Sequence, residues 1–409
     1  MSRNFVPGLL VSLIALPLCV AISIASGFPV LSGIFTAIIG GILVSQISGS
    51  HVTINGPAAG MIVVILDAVE KLGQGNILLG YKYTLAAIVC AALFQVATSF
   101  SKLPEFLRKF PESIIRGMMM SIGLIVIIKQ TFVLCGIKAP KVGLIELAAH
   151  IPNAFRGMQI ETFSIGFGAI LFIFFWKKFF EKFSVFRFVP VYLIAITLGS
   201  IMASYVNTAF INIPSDLGGA LSLPDFTRFF SADFFFATFS IFAVGSLETV
   251  LSAIAVDKID PKNRRADLKK DLRGVGVGNL ICGFVGALPM IAEIVRSTAN
   301  VKYGATNKWA NFFHGICLLV MITIFRDFLK FIPTCLLAGM LIIIGFGMVN
   351  LKLFLQVFKR DKVDFVVIIS VIFFTLKVDL LAGILSGIVA HLILQKIFPS
   401  HTSHGLDQH

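Results

Sequence analysis

The feature that most constrains this sequence is a series of apolar runs, each about as long as a bilayer is thick. A spanning helix needs roughly 20 apolar residues, and such runs lie near 6–26, 29–45, 78–100, 112–134, 162–180, 189–209, 234–256, 309–325, 333–349 and 378–397. Between them lie shorter or Gly/Pro-interrupted segments near 52–72, 274–288, 289–303 and 364–376, which bring the expected total to fourteen. With 57% hydrophobic and 13% charged residues, against about 45–50% and about 25% in a soluble domain, no water-soluble packing could hide this surface. The chain is expected to be an all-α polytopic membrane protein. That excludes a cytosolic enzyme, a nucleic-acid binder and a disulfide-stapled secreted protein. The first run follows a single basic residue, Arg3, and lacks a small-residue cleavage site, so it reads as a retained helix.

The net charge of +13 fits the excess of Lys and Arg that cytoplasmic loops carry. With the amino terminus inside, inner loops collect Lys102, Arg108, Lys109 and Arg116, then Lys177, Lys178, Lys182 and Arg187, then the basic residues of 258–273 and Lys352, Lys359, Arg360 and Lys362. An even number of spans puts both termini in the cytoplasm, and a bacterial inner (plasma) membrane is the expected location. Residues 258–273 read as a solvated or interfacial helix with its lead-in, Pro261 in the starting turn and Arg264 and Arg265 facing Asp267 to Asp271. The six cysteines sit singly in apolar runs and read as small buried hydrophobes.

A weak repeat divides the chain. Pro111, Gly117, Met118 and Gly123 recur in the same spacing as Pro333, Gly339, Met340 and Gly345, an offset of 222 residues. An interrupted segment precedes each copy. Two halves of seven spans have opposite orientation in the membrane, and paired interrupted segments in inverted halves point to a transporter's binding site.

The first interrupted segment is SGSHVTINGPAAGMIVVILDAVEKLG, residues 48–73. Asn55-Gly56 offers a turn, Pro57 suits the first helical position, and Ala58, Ala59 and Gly60 follow with almost no side chain. A helix starting there exposes bare N–H groups at its positive dipole end, suited to an anion; the alternative is a tightly packed helix start. The second is GALPMIAEIVRSTANVKYGA, residues 286–305. Pro289 breaks the preceding helix, and Arg296, with Ser297, Thr298 and Asn300, lies at membrane depth, where a charge marks a functional site by default. Its alternative is an ion pair with Glu293 that only fixes the helix start. Glu248 stands mid-span in an otherwise uncharged helix and needs a partner, a cation or a proton. Ser252, one turn on, could share a small cation with it, and a buried pair with a basic residue elsewhere, Arg296 among the candidates, is the competing reading.

Gln46, Ser48 and His51 are further polar candidates near the first break, His51 being more often a packed histidine than a ligand. His401, His404 and His409 could capture metal but read as a disordered end. The sequence carries no phosphate-binding loop, nucleophile elbow, paired catalytic carboxylates or HExxH, so neither enzyme, metal nor cofactor is expected.

The stretches SGSHVTINGPAAGMIVV, SLETVLSAIAVDK and EIVRSTANVKYGATNKWANFFHG together resemble the sulphate-permease group of inorganic-anion transporters, over about residues 5–397. The resemblance implies seven plus seven inverted spans, with half-helices at spans 3 and 10 whose N-termini converge on the anion. It divides residues 1–397 into a core (about 5–101 and 234–327) and a gate (about 102–233 and 328–397), and places the repeat in spans 5 and 12. Substrate-binding positions would be Ala58, Ala59, Gly60, Val295, Arg296 and Ser297. Glu248 would be the coupling position, with Ser252 beside it and Glu293 and His51 as modulators. The implied function is secondary active transport of a sulphate- or bicarbonate-class anion, coupled to H+ or Na+ or by exchange, through an elevator-like movement. An anion channel on the same fold and a nucleobase-type carrier are the alternatives. The implied partners are the anion, the coupling cation and membrane lipids, with room for a homodimer and none for nucleic acid. Two departures stand out: residues 398–409 form a short cytoplasmic tail where many members carry a STAS domain, and Glu293 stands where many have small residues.

Overall fold

In the computed structural model, which describes residues 2–180, 190–212, 221–324 and 326–397, the chain is a bundle of helices with a single two-stranded sheet among the described residues. Lys182, Arg187 and the tail at 398–409, with its three histidines, lie outside the described residues.

Helix α1 (Phe5–Ala25) is followed by a continuous helical run made of α2 (Ser32–Ile39), a π-turn over Gly40–Val44 and α3 (Ser45–Ile47). Strand β1 (Ile54–Gly56) and a 3-10 turn (Ala59–Met61) lead into α4 (Ile62–Gly73). Next come α5 (Ile77–Ser99), the short α6 (Leu103–Leu107), α7 (Glu112–Leu134), two short helices α8 (Leu144–Ala149) and α9 (Ile151–Arg156), α10 (Ile160–Phe175) and α11 (Val191–Ala203). The second half holds α12 (Ala232–Asp257), α13 (Leu268–Val285), β2 (Ile291–Glu293), α14 (Ile294–Lys302) and α15 (Trp309–Ile324). It closes with α16 (Arg326–Leu329), α17 (Thr334–Val349), α18 (Leu351–Arg360), α19 (Lys362–Lys377) and α20 (Leu380–Ile397).

Among the described residues, seven helical runs are long and apolar enough to cross a membrane, and Ser32–Ile47, Val191–Ala203 and Trp309–Ile324 are shorter apolar helices. Large apolar side chains face outward along them, among them Phe94, Phe174, Phe236 and Leu392, as a lipid-covered surface requires.

Two expectations change. The segment read as interrupted near 274–288 is an unbroken helix that starts at Leu268, because Asp267 caps it by accepting the Lys270 N–H at 3.1 Å. Residues 258–267 are therefore a turn-rich link rather than an interfacial helix. In that link Arg264 pairs with Asp260 (Nε to Oδ2, 2.8 Å), not with Asp267 to Asp271. Burial opposes ionisation of Asp260, but its bonds to Arg264 and to the Lys262 N–H outweigh that and hold its carboxyl below the usual range. The segment at 364–376, expected to be short, lies within the 16-residue helix α19, capped by Asp361.

The two copies of the repeat pack against one another. A Cβ on Gly123 would lie 2.7 Å from the Gly345 carbonyl oxygen, and one on Gly345 would lie 3.0 Å from that of Gly123. Gly117 of α7 packs on Val371 of α19, while Gly339 of α17 packs on Gly166 and Ile170 of α10. Small residues allow such backbone approach where lipid supplies no hydrophobic drive between helices.

Candidate functional site

The two broken segments meet. Strands β1 and β2 pair antiparallel, with Ile54 opposite Glu293, Asn55 opposite Ala292 and Gly56 opposite Ile291. Antiparallel pairing sends the chain out at opposite ends of this small sheet, so α4 and α14 leave it in opposite directions.

Extended backbone inside a bundle needs side chains to satisfy it, and this chain supplies them. Thr36 donates to the Leu288 carbonyl (2.7 Å), Ser32 and Tyr81 to that of Gly286 (2.8 and 2.9 Å), and Asn300 to that of Val52 (2.8 Å). Asn279 grips Met290 on both sides, accepting its N–H at 2.6 Å and donating to its carbonyl at 3.1 Å. Asn311 donates to Asn55 at 3.1 Å. Of these donors, only Asn300 stands out in the sequence. Their signal was a scatter of Asn, Ser and Thr in apolar runs, which does not say which backbone group each would serve.

The start of α4 is bare. Ala58 is extended, Ala59, Gly60 and Met61 make one 3-10 turn, and no side chain caps the turn or the helix behind it. Pro57 precedes the helix instead of opening it, and its carbonyl accepts a bond from Arg296 Nη2 at 2.8 Å. All four residues from Ala58 to Met61 are buried.

The start of α14 is built differently. The Glu293 carboxylate is its cap, accepting the Arg296 backbone N–H at 2.7 Å. The Ser297 hydroxyl donates to the Glu293 carbonyl (2.5 Å) and accepts the Ile54 N–H (2.9 Å), so it ties α14 to β1. Val295 is 47% exposed and stands apart from its buried neighbours Arg296 and Ser297.

Arg296, 1% exposed, is the largest fully buried side chain among the described residues. Its Nη1 lies beneath Gly56, 2.6 Å from where a Cβ would be, and Nε and Nη1 have no hydrogen-bond partner among the described residues. Glu248 of α12 is 5% exposed, and neither carboxylate oxygen has such a partner. It packs directly on Gly60, in the space any side chain there would need. Ser252 is buried one turn on and makes no bond to that carboxylate. Both pairing alternatives therefore fail among the described residues: Glu293 acts on the Arg296 backbone rather than its guanidinium, and Glu248 is not paired with Arg296.

Of the remaining candidates, Ser48 serves Asp271 of α13 through a short hydrogen bond, and Gln46 bonds to Ser45 (3.0 Å). His51 is half-buried ahead of β1. No group of three or more His, Cys, Asp or Glu that could hold a metal occurs among the described residues. The arrangement sets a bare helix start, a buried guanidinium and a buried carboxylate around one small sheet, with two guanidinium nitrogens and both carboxylate oxygens unpartnered among the described residues. Chemically it offers donors to an anion and an acceptor to a proton or small cation.

Residues 1–371 match the sequence model of the sulfate permease family. The bicarbonate transporter BicA of Synechocystis sp. is 25% identical over 95% of this chain and 68% of its own length. YvdB of Bacillus subtilis, named provisionally as a sulfate transporter, is 23% identical over 95% of this chain and 72% of its own. Among solved structures, the transmembrane domain of a cyanobacterial BicA superposes with a TM-score of 0.81 at 24% identity, covering 93% of this chain and 97% of that one.

Proposed function

The chain belongs to the sulfate permease family, and from that premise we propose that it moves a small inorganic oxyanion of the sulfate or bicarbonate class across a membrane by secondary active transport. The observation that carries this reading is the meeting of two helix starts at the β1–β2 sheet, with Arg296 and Glu248 buried beside them and unpaired with each other. A buried charge without a counter-charge is costly, and an anion together with a proton or cation answers both needs at once.

In this reading the anion sits at the starts of α4 and α14. It takes hydrogen bonds from the backbone of Ala58, Ala59 and Gly60 and of Val295 and Ser297, and hydrogen bonds and charge from the Arg296 guanidinium, the Arg296 backbone N–H being held by Glu293. Glu248 carries the coupling H+ or Na+, with Ser252 as its neighbour; Glu293 and His51 modulate. The fold is two inverted halves of seven spans, supported by the reciprocal packing of Gly123 on Gly345, of α7 on α19 and of α17 on α10. A core (about 5–101 and 234–327) shifts like an elevator against a gate (about 102–233 and 328–397), in a bacterial inner membrane with both termini cytoplasmic.

Proteoliposomes loaded with unlabelled anion and offered labelled sulfate or bicarbonate, with and without Na+ or pH gradients, test this directly. Wild-type protein is expected to accumulate one of them against its gradient, and Glu248→Gln to lose gradient-driven uptake while the fold persists. Undiminished coupled uptake in Glu248→Gln removes that residue from the mechanism; single-channel currents without accumulation replace the carrier by a channel.

A further inference from the structure

A chain of fixed amide orientations leads from the second broken segment to a donor that no other group among the described residues uses. The Met290 backbone N–H can only donate, so the Asn279 atom that meets it at 2.6 Å is Oδ1. Asn279 Nδ2 is thereby turned to the Met290 carbonyl (3.1 Å) and to Gln95 of α5 (2.9 Å), and Gln95 must present Oε1 to it. A flipped Gln95 would set NH2 against NH2. The free arm of Gln95 is therefore Nε2, on a side chain 1% exposed, with no hydrogen-bond partner among the described residues.

This arm points at the seam of α4 and α12. It lies 3.2 Å from where a Cβ on Gly245 would be, and the Met61 thioether lies beside the same point, Cε at 3.7 Å and Sδ at 3.9 Å. Gly245 is one turn before Glu248 on the same face of α12, and Met61 follows Gly60, on which the Glu248 carboxylate packs. The glycine leaves the amide an open approach, and an N–H donor buried without an acceptor is rare enough to need a reason.

We propose that the Gln95 side-chain amide is an oxyanion-binding donor of the transport site, reaching past Gly245 to an oxygen of the anion held at the start of α4. The assignment rests on the function proposed above. A neutral amide adds direction without adding charge, which suits a site where Arg296 already supplies the charge.

The test compares Gln95→Leu, which removes the donor, with Gly245→Ala, which obstructs it and leaves the Asn279–Gln95 bond in place. Labelled sulfate and bicarbonate are the probes in reconstituted vesicles, with thermal stability read alongside. Both variants are expected to raise KM roughly tenfold, the worth of one hydrogen bond, with maximal rate within about twofold. A purely structural Gln95, holding Asn279 and β2, would instead lower melting temperature and maximal rate at unchanged KM. That result in Gln95→Leu overturns the assignment; if Gln95→Leu does not fold, an unchanged KM in Gly245→Ala overturns it alone. Wild-type protein that takes up neither anion overturns the function proposed above, and the donor role with it.

Discussion

The starts of α4 and α14 meet at one sheet but are finished in opposite ways. At α14 the chain spends its own side chains on the helix end: Glu293 accepts the Arg296 N–H and Ser297 bonds both Glu293 and Ile54. At α4 nothing of the kind occurs; alanine, glycine and a 3-10 turn leave the end uncapped, and Glu248 comes in from another helix to lie against it. A capped end has part of its positive dipole already neutralised, whereas a bare one keeps its donors. The α4 end thus offers backbone donors, and the α14 end offers mainly the Arg296 side chain. The two helix starts therefore need not do equal work.

The largest effect should come from breaking the bare end. Gly60→Ala puts a methyl group into the space of the Glu248 carboxylate, so helix start and carboxylate must separate. Anion uptake is expected to fall by roughly 100-fold or more, as displacements of about 1 Å in a preorganised site can cause; uptake within threefold of wild type would show that the contact yields easily. Next comes the charged end. Arg296→Met removes a guanidinium whose proposed hydrogen bonds to the anion would contribute about 2 kcal/mol, so anion affinity measured by counterflow should weaken roughly 30-fold. An unchanged affinity would reduce Arg296 to a brace for the Pro57 carbonyl.

The smallest effect sharpens the contrast. Glu293→Gln keeps an oxygen for the Arg296 N–H but deletes a negative charge beside the proposed site. Anion affinity should tighten about two- to fivefold, in line with about 0.3–1 kcal/mol for a charge at a helix end. Glu293→Ala also loses the cap and should cost about 1 kcal/mol of stability, read as a lower melting temperature. Identical affinities in all three proteins would mean that the carboxylate is a cap and nothing more.

The breaks at 52–72 and 289–303 were legible because proline, glycine and polar residues cannot pass unnoticed inside apolar runs. Arg296 and Glu248 were legible for the same reason. The role of Glu293 was not: an acid three residues before an arginine reads as an ion pair, whereas it caps the backbone. Ser297 was read as a substrate contact, and its hydroxyl is committed to β1. The α13 start at Leu268 was hidden because its first turn carries Lys269, Lys270 and Asp271, and charged side chains at a helix end mask the run behind them. Gln95 gave no signal beyond its polarity.

By itself, then, the sequence determined that helices must fill a bilayer and where two of them must break, because both follow from local composition: apolar length satisfies the lipid, and small or ring-closed residues interrupt the helix. Only the tertiary structure decided that the two breaks join as one sheet, that Glu248 lies on Gly60, and that Asn279 turns the free arm of Gln95 toward α12. Those contacts link residues between about 150 and 240 positions apart. No local pattern records such partners; they are selected when buried polar groups, denied water, take the only acceptors and donors within reach.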